Sequence, residues 1–322
     1  MASREQVRNV RLMELRQLDV AALTQLLEIE KARWRALLHW DFTPSAELVT
    51  RYAAMQALDG SALACGDELI GYIYWVAEEH KGLLGDVYVR DAWRTPAHEN
   101  MLLGAALDQL RRGPWLRRVE GQLMQLGARG PQVAPLGLRP HIYGRHFMLA
   151  PLDPVLAQRP FPPPGELRFA TWTPRALDDC AALIAEVYQD HVDSEINDQY
   201  HSRSGARHFL ENIVQYPGCG HFAPACSWLA LDESGRVQGL SLATRVAEHS
   251  GHIAQICLAR RHQGSGAGYE LLRRSLVSLA GTGAREASLT VTASNDRALR
   301  LYHRFGFRPV YEFEALVWDR LW

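Results

Sequence analysis

Gln263-Gly264-Ser265-Gly266-Ala267-Gly268 lies between the apolar run Ile256-Cys257-Leu258-Ala259 and a helical pattern that starts at Tyr269. This order predicts a strand, a glycine loop and a helix N-terminus meeting at one point. Glycines let the backbone turn tightly and let a ligand approach with no Cβ in the way, and the first-turn N–H groups of a helix have no partner inside it. Such a loop is suited to hold an anion, most often a phosphate.

Spacing sets aside two phosphate-binding designs. A P-loop needs Lys-Ser or Lys-Thr after its last glycine, whereas Gly268 is followed by Tyr269-Glu270. The fingerprint G-x-G-x-x-G would require glycine at Tyr269 or at Leu271. What remains is Gln-x-x-Gly-x-Gly, formed by Gln263, Gly266 and Gly268, or else a flexible Gly-Ser connector. The downstream residues decide between them. From Glu286 to Ala293 the chain alternates, with Ala287, Leu289, Val291 and Ala293 on one face and Ser288, Thr290 and Thr292 on the other, as a half-buried strand does. Ser294-Asn295 then offers an N-cap, and Ala298, Leu301, Tyr302 and Phe305 share one helical face before Gly306 ends the helix.

The loop resembles the pyrophosphate loop of the Gcn5-related N-acetyltransferase (GNAT) superfamily. The string Asn295-x-x-Ala298-x-x-Leu301-Tyr302-x-x-x-Gly306-Phe307 closely resembles that superfamily's second signature. The resemblance implies acetyl-CoA as co-substrate, bound in a gap splayed between two adjacent parallel strands. By position the first of these strands ends at Leu258-Ala259-Arg260 and its partner is Glu286 to Ala293. Cofactor-binding residues implied in this way are Leu258, Ala259, Arg260, Gln263, Gly264, Ser265, Gly266, Ala267, Gly268 and Asn295. In the family an amine attacks the thioester directly, a backbone N–H of the first strand polarises the carbonyl, and a tyrosine corresponding to Tyr302 protonates the leaving thiolate. A phenol with an intrinsic pKa of about 10 keeps its proton at neutral pH while lying close enough to a thiol for transfer. Asn295 would cap the helix or contact the pantetheine arm.

At 322 residues, with 47% hydrophobic and 22% charged residues, the chain has the length for two ordinary globular domains. No apolar run reaches membrane-spanning length, the first residues have no apolar signal core, and a cytoplasmic protein is the default expectation. A net charge of -1 gives no reason to expect nucleic acid. Five cysteines without a C-x-x-C pair suggest neither a disulfide framework nor a zinc site, so no metal is expected. Cys257, beside the loop, reads as a small hydrophobe because no activating partner is visible.

The clearest linker is the proline-rich stretch from Pro151 to Gly165, with elements in similar order on each side. It divides the chain into a first domain (1–150) and a second (166–322). In the second, strands are expected at 167–172, 228–231, 238–243, 252–259, 286–293 and within 307–318, and helices at 176–188, 206–214, 269–280 and from Asn295. In the first, strand-like runs cover 10–15, 61–65, 69–76 and 85–90, and helical runs 20–38 and 46–58. The fold expected is α/β, two tandem GNAT-like domains, each a mixed, mostly antiparallel central sheet flanked by helices.

Laying Arg94 on Gln263 without gaps places Thr95, Ala97 and Glu99 where Gly264, Gly266 and Gly268 stand, with Pro96 opposite Ser265. Proline removes an N–H donor, added Cβ atoms narrow the approach, and Glu99 puts a carboxylate where a pyrophosphate would rest. Gly127 to Pro140, broken by glycines and prolines, cannot supply the Tyr302-type helix. The first domain therefore reads as a degenerate copy. This layout resembles mycothiol synthase in outline, but no residues fix that substrate.

The expected acceptor is a small-molecule or peptide amine, and a homodimer is compatible with the reading. For the general base the candidate is His252, with Glu248 and His249 nearby and Gln255 unable to serve. Asp193 and Glu195, in the acidic loop 190–198, are candidates for drawing in a cationic amine. The alternative to catalysis is a module that binds acetyl-CoA or a protein partner and transfers nothing.

Overall fold

In the computed structural model the described residues are 10–319 apart from 79, 114, 157–159 and 161–166. The chain runs β1 (Val10–Glu14), α1 (Val20–Leu38), α2 (Thr43–Ala54), β2 (Asp59–Cys65), β3 (Glu68–Glu78), β4 (Lys81–Val89), α3 (Pro96–Leu110), β5 (Arg118–Gln122) and β6 (His141–Pro151). It continues through α4 (Asp153–Leu156), β7 (Arg168–Thr171), α5 (Leu177–Val187), α6 (Val192–Ile196), α7 (Arg203–Gln215), β8 (His221–Phe222), β9 (Trp228–Leu231), β10 (Val237–Ala247) and β11 (Ser250–Leu258). Then follow α8 (Ala267–Gly281), β12 (Glu286–Thr292), α9 (Asp296–Arg304) and β13 (Arg308–Asp319).

Two compact units emerge, and they differ from a division at the proline-rich stretch. The first comprises Met1–Ala36, Phe42–Gly144 and Glu312–Trp322, and the second Leu37–Asp41 and Arg145–Tyr311. The differences have a pairing cause. In the first unit, the end of β13 pairs antiparallel with β5, from Ala315 on Gln122 to Asp319 on Arg118. In the second, Arg145–Pro151 of β6 pairs antiparallel with β12, from Arg145 on Thr292 to Pro151 on Glu286. Each half of the sequence thus supplies the closing strand of the other unit. Pro151, expected in the linker, ends a strand, and most of the remaining linker lies outside the described residues.

Both units share one plan, mixed and mostly antiparallel. Strand order is β1-β2-β3-β4-β5-β13 in the first and β7-β9-β10-β11-β12-β6 in the second, with β8 also on β10. The single parallel neighbour pair in each is β4/β5 and β11/β12. Those pairings are short. β4 meets β5 only from Lys81 to Leu84 and β11 meets β12 only from Ser250 to Ile253, although the strands run on to Val89 and Leu258. A register shift against the preceding strand falls where each parallel pairing ends, at Gly85 and at Ala254. An extra residue in one strand bends and twists it away from its neighbour, which opens a gap beyond the bulge.

What fills that gap separates the units. In the first, Leu123, Leu126, Ala128 and Val133 of the segment after β5 pack with Val87 and Val89 of β4 in one core. In the second, α9 follows β12, and Tyr302 and Phe305 pack with Leu289 and Val291. α8 lies on the sheet through Leu272, Leu276 and Leu279, spaced as one apolar helical face should be. α3 does the same in the first unit through Leu102, Leu103, Ala106 and Leu107. α3, β5 and β6 were missing from the expected elements, as was α6.

Candidate active site

In the second unit a short 3-10 turn, Arg260–His262, leads from β11 into the glycine loop, and α8 begins at Ala267. Gly264 and Gly266 have φ of 86° and 91°, the left-handed region that only glycine occupies readily. Ser265 Oγ donates to His262 O at 2.6 Å, and Ala267 N donates to Ser265 Oγ at 3.3 Å, so the serine stiffens the turn. Among the described residues no group accepts from the amides of Gly264, Gly266 or Gly268. These donors, at the N-terminus of a long helix, fit an anion of pyrophosphate size.

The gap-facing edge of β11 is set by strand alternation. Ala259 N donates to Gln238 O at 2.7 Å, toward β10, so the N–H and C=O of Leu258 and Ile256 face the opposite side, where β12 has turned away. Gln263 Nε2 donates to Leu258 O at 3.1 Å, and Arg297 on α9 donates to Gln263 Oε1. Gln263 therefore ties the loop to the strand end and to α9. Arg260 Nη2 donates to Gln189 O at 2.5 Å, which anchors the segment that follows α5.

The same tie exists in the first unit without the cradle. Arg94 Nη2 donates to Val89 O at 2.9 Å, five residues back, as Gln263 reaches back five residues to Leu258. Beyond this point the gapless register fails. Thr95, directly after Arg94, already caps α3 by accepting from His98 N, whereas Gly264 and Ser265 precede the cap residue Gly266 in the second unit. Counted from the caps, Glu99 is equivalent to Glu270 and not to Gly268. Glu99 is buried, and it accepts from Gly127 N and Ala128 N at 2.6 Å each. The carboxylate holds the gap-filling segment in place. The first unit lacks an anion cradle because its loop is shorter and its gap is occupied by its own chain.

Asn295 caps α9, accepting from Ala298 N at 3.1 Å. One turn before the end of α9, Tyr302 is 6% exposed, its ring edge-on to Phe307. No described group hydrogen-bonds its hydroxyl. Burial pushes the phenol well above its ordinary range, Asp193 adds to the shift and Arg145 opposes it. Tyr188 is raised by burial as well, with Asp193 and Tyr302 among its neighbours, and Gln255 Nε2 donates to Tyr188 Oη at 3.2 Å. Tyr188 in turn packs on Tyr200 and edge-on against His191. Gln255, Tyr188, Asp193 and Tyr302 thus form one constellation at the end of α5, directly past the bulge in β11.

Asp193 does not act as the free charge expected of it. It belongs to α6, not to an open loop, and Arg145 Nη1 donates to its Oδ1 at 2.9 Å while Thr292 Oγ1 donates to the same oxygen. Arg145 also donates to Thr292 Oγ1 at 2.8 Å. A paired, half-buried carboxylate steers little. Glu195 is exposed. Arg145, which the sequence reading missed, comes from β6, and only the Arg145–Thr292 register of β6 with β12 brings it here.

His252 also departs from expectation. It is 5% exposed, with Nδ1 2.9 Å from Ser288 Oγ and its ring packed against Trp40 and Phe147. Burial lowers its pKa to about 3. A histidine so reluctant to take a proton is a poor base, and none of its contacts joins it to Tyr302 or Asp193. Cys257 is buried beside Cys180 and its thiol is pushed up by burial, which suits packing and not nucleophilic attack. Among the described residues no His, Cys, Asp and Glu cluster could hold a metal ion, and no helix is long and apolar enough to cross a membrane.

Residues 184–307 match the model of the acetyltransferase (GNAT) family. The whole chain is similar in structure to a GCN5-related N-acetyltransferase from Sphaerobacter thermophilus, at 18% identity and a TM-score of 0.67, covering 97% of this chain and 96% of that one. It is also similar to a tandem GNAT protein from the clavulanic acid biosynthesis pathway, at 15% identity and a TM-score of 0.61, covering 96% and 98%. A third similarity is to a glucosamine N-acetyltransferase region of a fungal multi-domain β-N-acetylglucosaminidase, at 15% identity and a TM-score of 0.59, covering 96% of this chain and 38% of that one. At these identities the likeness is one of fold. Among curated proteins none matches the sequence significantly.

Proposed function

We propose, for a chain whose second half is a domain of the acetyltransferase (GNAT) family, that the second unit transfers acetyl from acetyl-CoA to a primary amine by direct attack in a ternary complex. Family chemistry is acyl-CoA-dependent N-acetyltransfer. The observation that carries the reading to this chain is the conjunction of three features in one unit. These are a β11/β12 gap not filled by its own chain, unengaged loop amides at its mouth, and an unbonded phenol at Tyr302.

The amides of Gly264, Gly266 and Gly268 would hold the pyrophosphate, and the outward N–H and C=O of Ile256 and Leu258 would bind the pantetheine arm as an added strand does. Acetyl-CoA supplies a thioester carbon open to an amine. Gln255 and Tyr188 border the acceptor side. The C–N bond forms as the C–S bond breaks, and Tyr302 gives its proton to the sulfur that departs with the bonding pair. Burial makes Tyr302 a weaker acid than a free phenol, but a thiolate in the same dry site is a stronger base than in water. The proton therefore moves as charge builds on sulfur and not before.

The first unit keeps the sheet and loses the cradle, and is assigned a structural role. Incubating the chain with acetyl-CoA and a panel of primary amines, with free thiol followed over time, tests the reading. Amine-dependent thiol release is expected. Tight acetyl-CoA binding with no release across the panel would leave a binding module.

A further inference from the structure

The first unit carries a buried acid pair at the place where the second has Gln255. Asp86 follows the bulge in β4 as Gln255 follows the bulge in β11. Asp86 is 5% exposed and accepts from Val87 N at 2.8 Å. Its carboxyl is hydrogen-bonded to that of Glu30 on α1, which is fully buried. Glu30 accepts from Trp34 Nε1 at 3.0 Å through Oε1 and from Tyr72 Oη at 2.8 Å through Oε2. Two ionised carboxylates cannot hydrogen-bond each other, because each has only acceptors.

We propose that Glu30 and Asp86 share one proton in the folded chain at neutral pH, and that this proton makes the first unit a pH-sensitive body, tightest in acid and loosened as pH rises. The surroundings supply no cation to replace it. Arg33 and Arg94 face this region, but Arg33 spends Nη1 on Asp91 and Nε on Gln125, while Arg94 spends Nη1 on Asp91 and Nη2 on Val89 O. The remaining titratable neighbours are Tyr72, Tyr74 and Tyr88, all held neutral by burial and by the acid pair. Burial raises both carboxyls, and for Asp86 the charge of Glu30 adds to the shift. The inference is independent of any activity of the second unit.

The sign follows from proton counting. Above the ordinary carboxyl range the unfolded chain has released this proton and the folded chain still holds it, so stability falls as pH rises until the folded pair ionises. Urea unfolding of the intact chain from about pH 5 to about pH 8 should show an unfolding constant that grows by up to about tenfold per pH unit more than in Asp86→Asn. The amide keeps the shape of the protonated acid and removes the titration. Infrared spectra of the wild-type chain at neutral pH should contain a protonated-carboxyl stretch that Asp86→Asn lacks. Glu30→Gln should behave alike if Asp86→Asn does not fold. A wild-type spectrum without that band, or an unaltered pH slope in the amide variants, would overturn the proposal.

Discussion

Arg145 Nη1 lies 2.9 Å from Asp193 Oδ1, joining the closing strand of the second unit to the short helix beside Tyr188. Both side chains are largely withdrawn from water, at 9% and 18% side-chain exposure. The pair turns a negatively charged segment into a fixed wall of the constellation around Tyr302.

Removing one partner of such a pair leaves a charge in a poor solvent. Arg145→Ala should therefore destabilise the chain by about 3 kcal/mol, the low end for a broken buried pair because Asp193 keeps some access to water. Urea denaturation measures it. Asp193→Asn should cost less, since the amide retains a hydrogen bond from Arg145, and its effect on acceptor KM should not vary with salt, as buried pairs are weakly screened. A strong salt dependence would restore the steering role.

Glu99 offers a parallel case in the first unit. Glu99→Ala would orphan the amides of Gly127 and Ala128 beneath the gap-filling segment. Hydrogen bonds to a charged group contribute about 1.5–3 kcal/mol each, so a loss of several kcal/mol is expected, together with faster hydrogen exchange across 123–138. Acetyl-CoA affinity should stay the same, because the second unit holds the only loop among the described residues with unengaged glycine amides.

Cofactor stoichiometry follows. Isothermal titration should give one acetyl-CoA per chain, with binding lost in Gly266→Glu and kept in Thr95→Ala. Gly266 sits at a φ of 91°, so a side chain there adds backbone strain of about 1–2 kcal/mol to the repulsion of the carboxylate. Two equivalent sites would contradict the filled gap of the first unit.

His252 predicts an acid limb in stability. Its pKa is lowered in the folded chain to about 3, so below the ordinary histidine range the unfolded chain binds a proton that the folded chain refuses. Stability should fall as pH drops from about 6.5, by up to about 1.4 kcal/mol per pH unit. His252→Gln should flatten that limb in urea denaturation without altering acetyl-CoA affinity. An unchanged limb would mean that His252 is not held neutral by burial.

The parts legible in sequence were those written in local pattern. Positive φ at Gly264 and Gly266, the cap at Asn295 and the single face of Ala298, Leu301, Tyr302 and Phe305 are all set by neighbours a few positions apart. The doubled α/β plan was legible for the same reason. Arg145 was not, because its position depends on strand register between β6 and β12, which no local pattern encodes. His252 looked like a turn residue until Trp40, from a distant segment, covered it. The alignment of the two halves failed where one loop is shorter, a difference that a comparison without gaps cannot register.

Tyr302→Phe tests the account most directly. It removes one hydroxyl and keeps the ring packed with Phe307, so folding and acetyl-CoA affinity by titration should be close to unchanged. Steady-state transfer to an amine found active with the wild type should show kcat lower by about a hundredfold to ten-thousandfold, the usual loss for a missing general acid. A Tyr302→Phe enzyme with wild-type kcat would contradict the assignment and show that the thiolate leaves without this phenol.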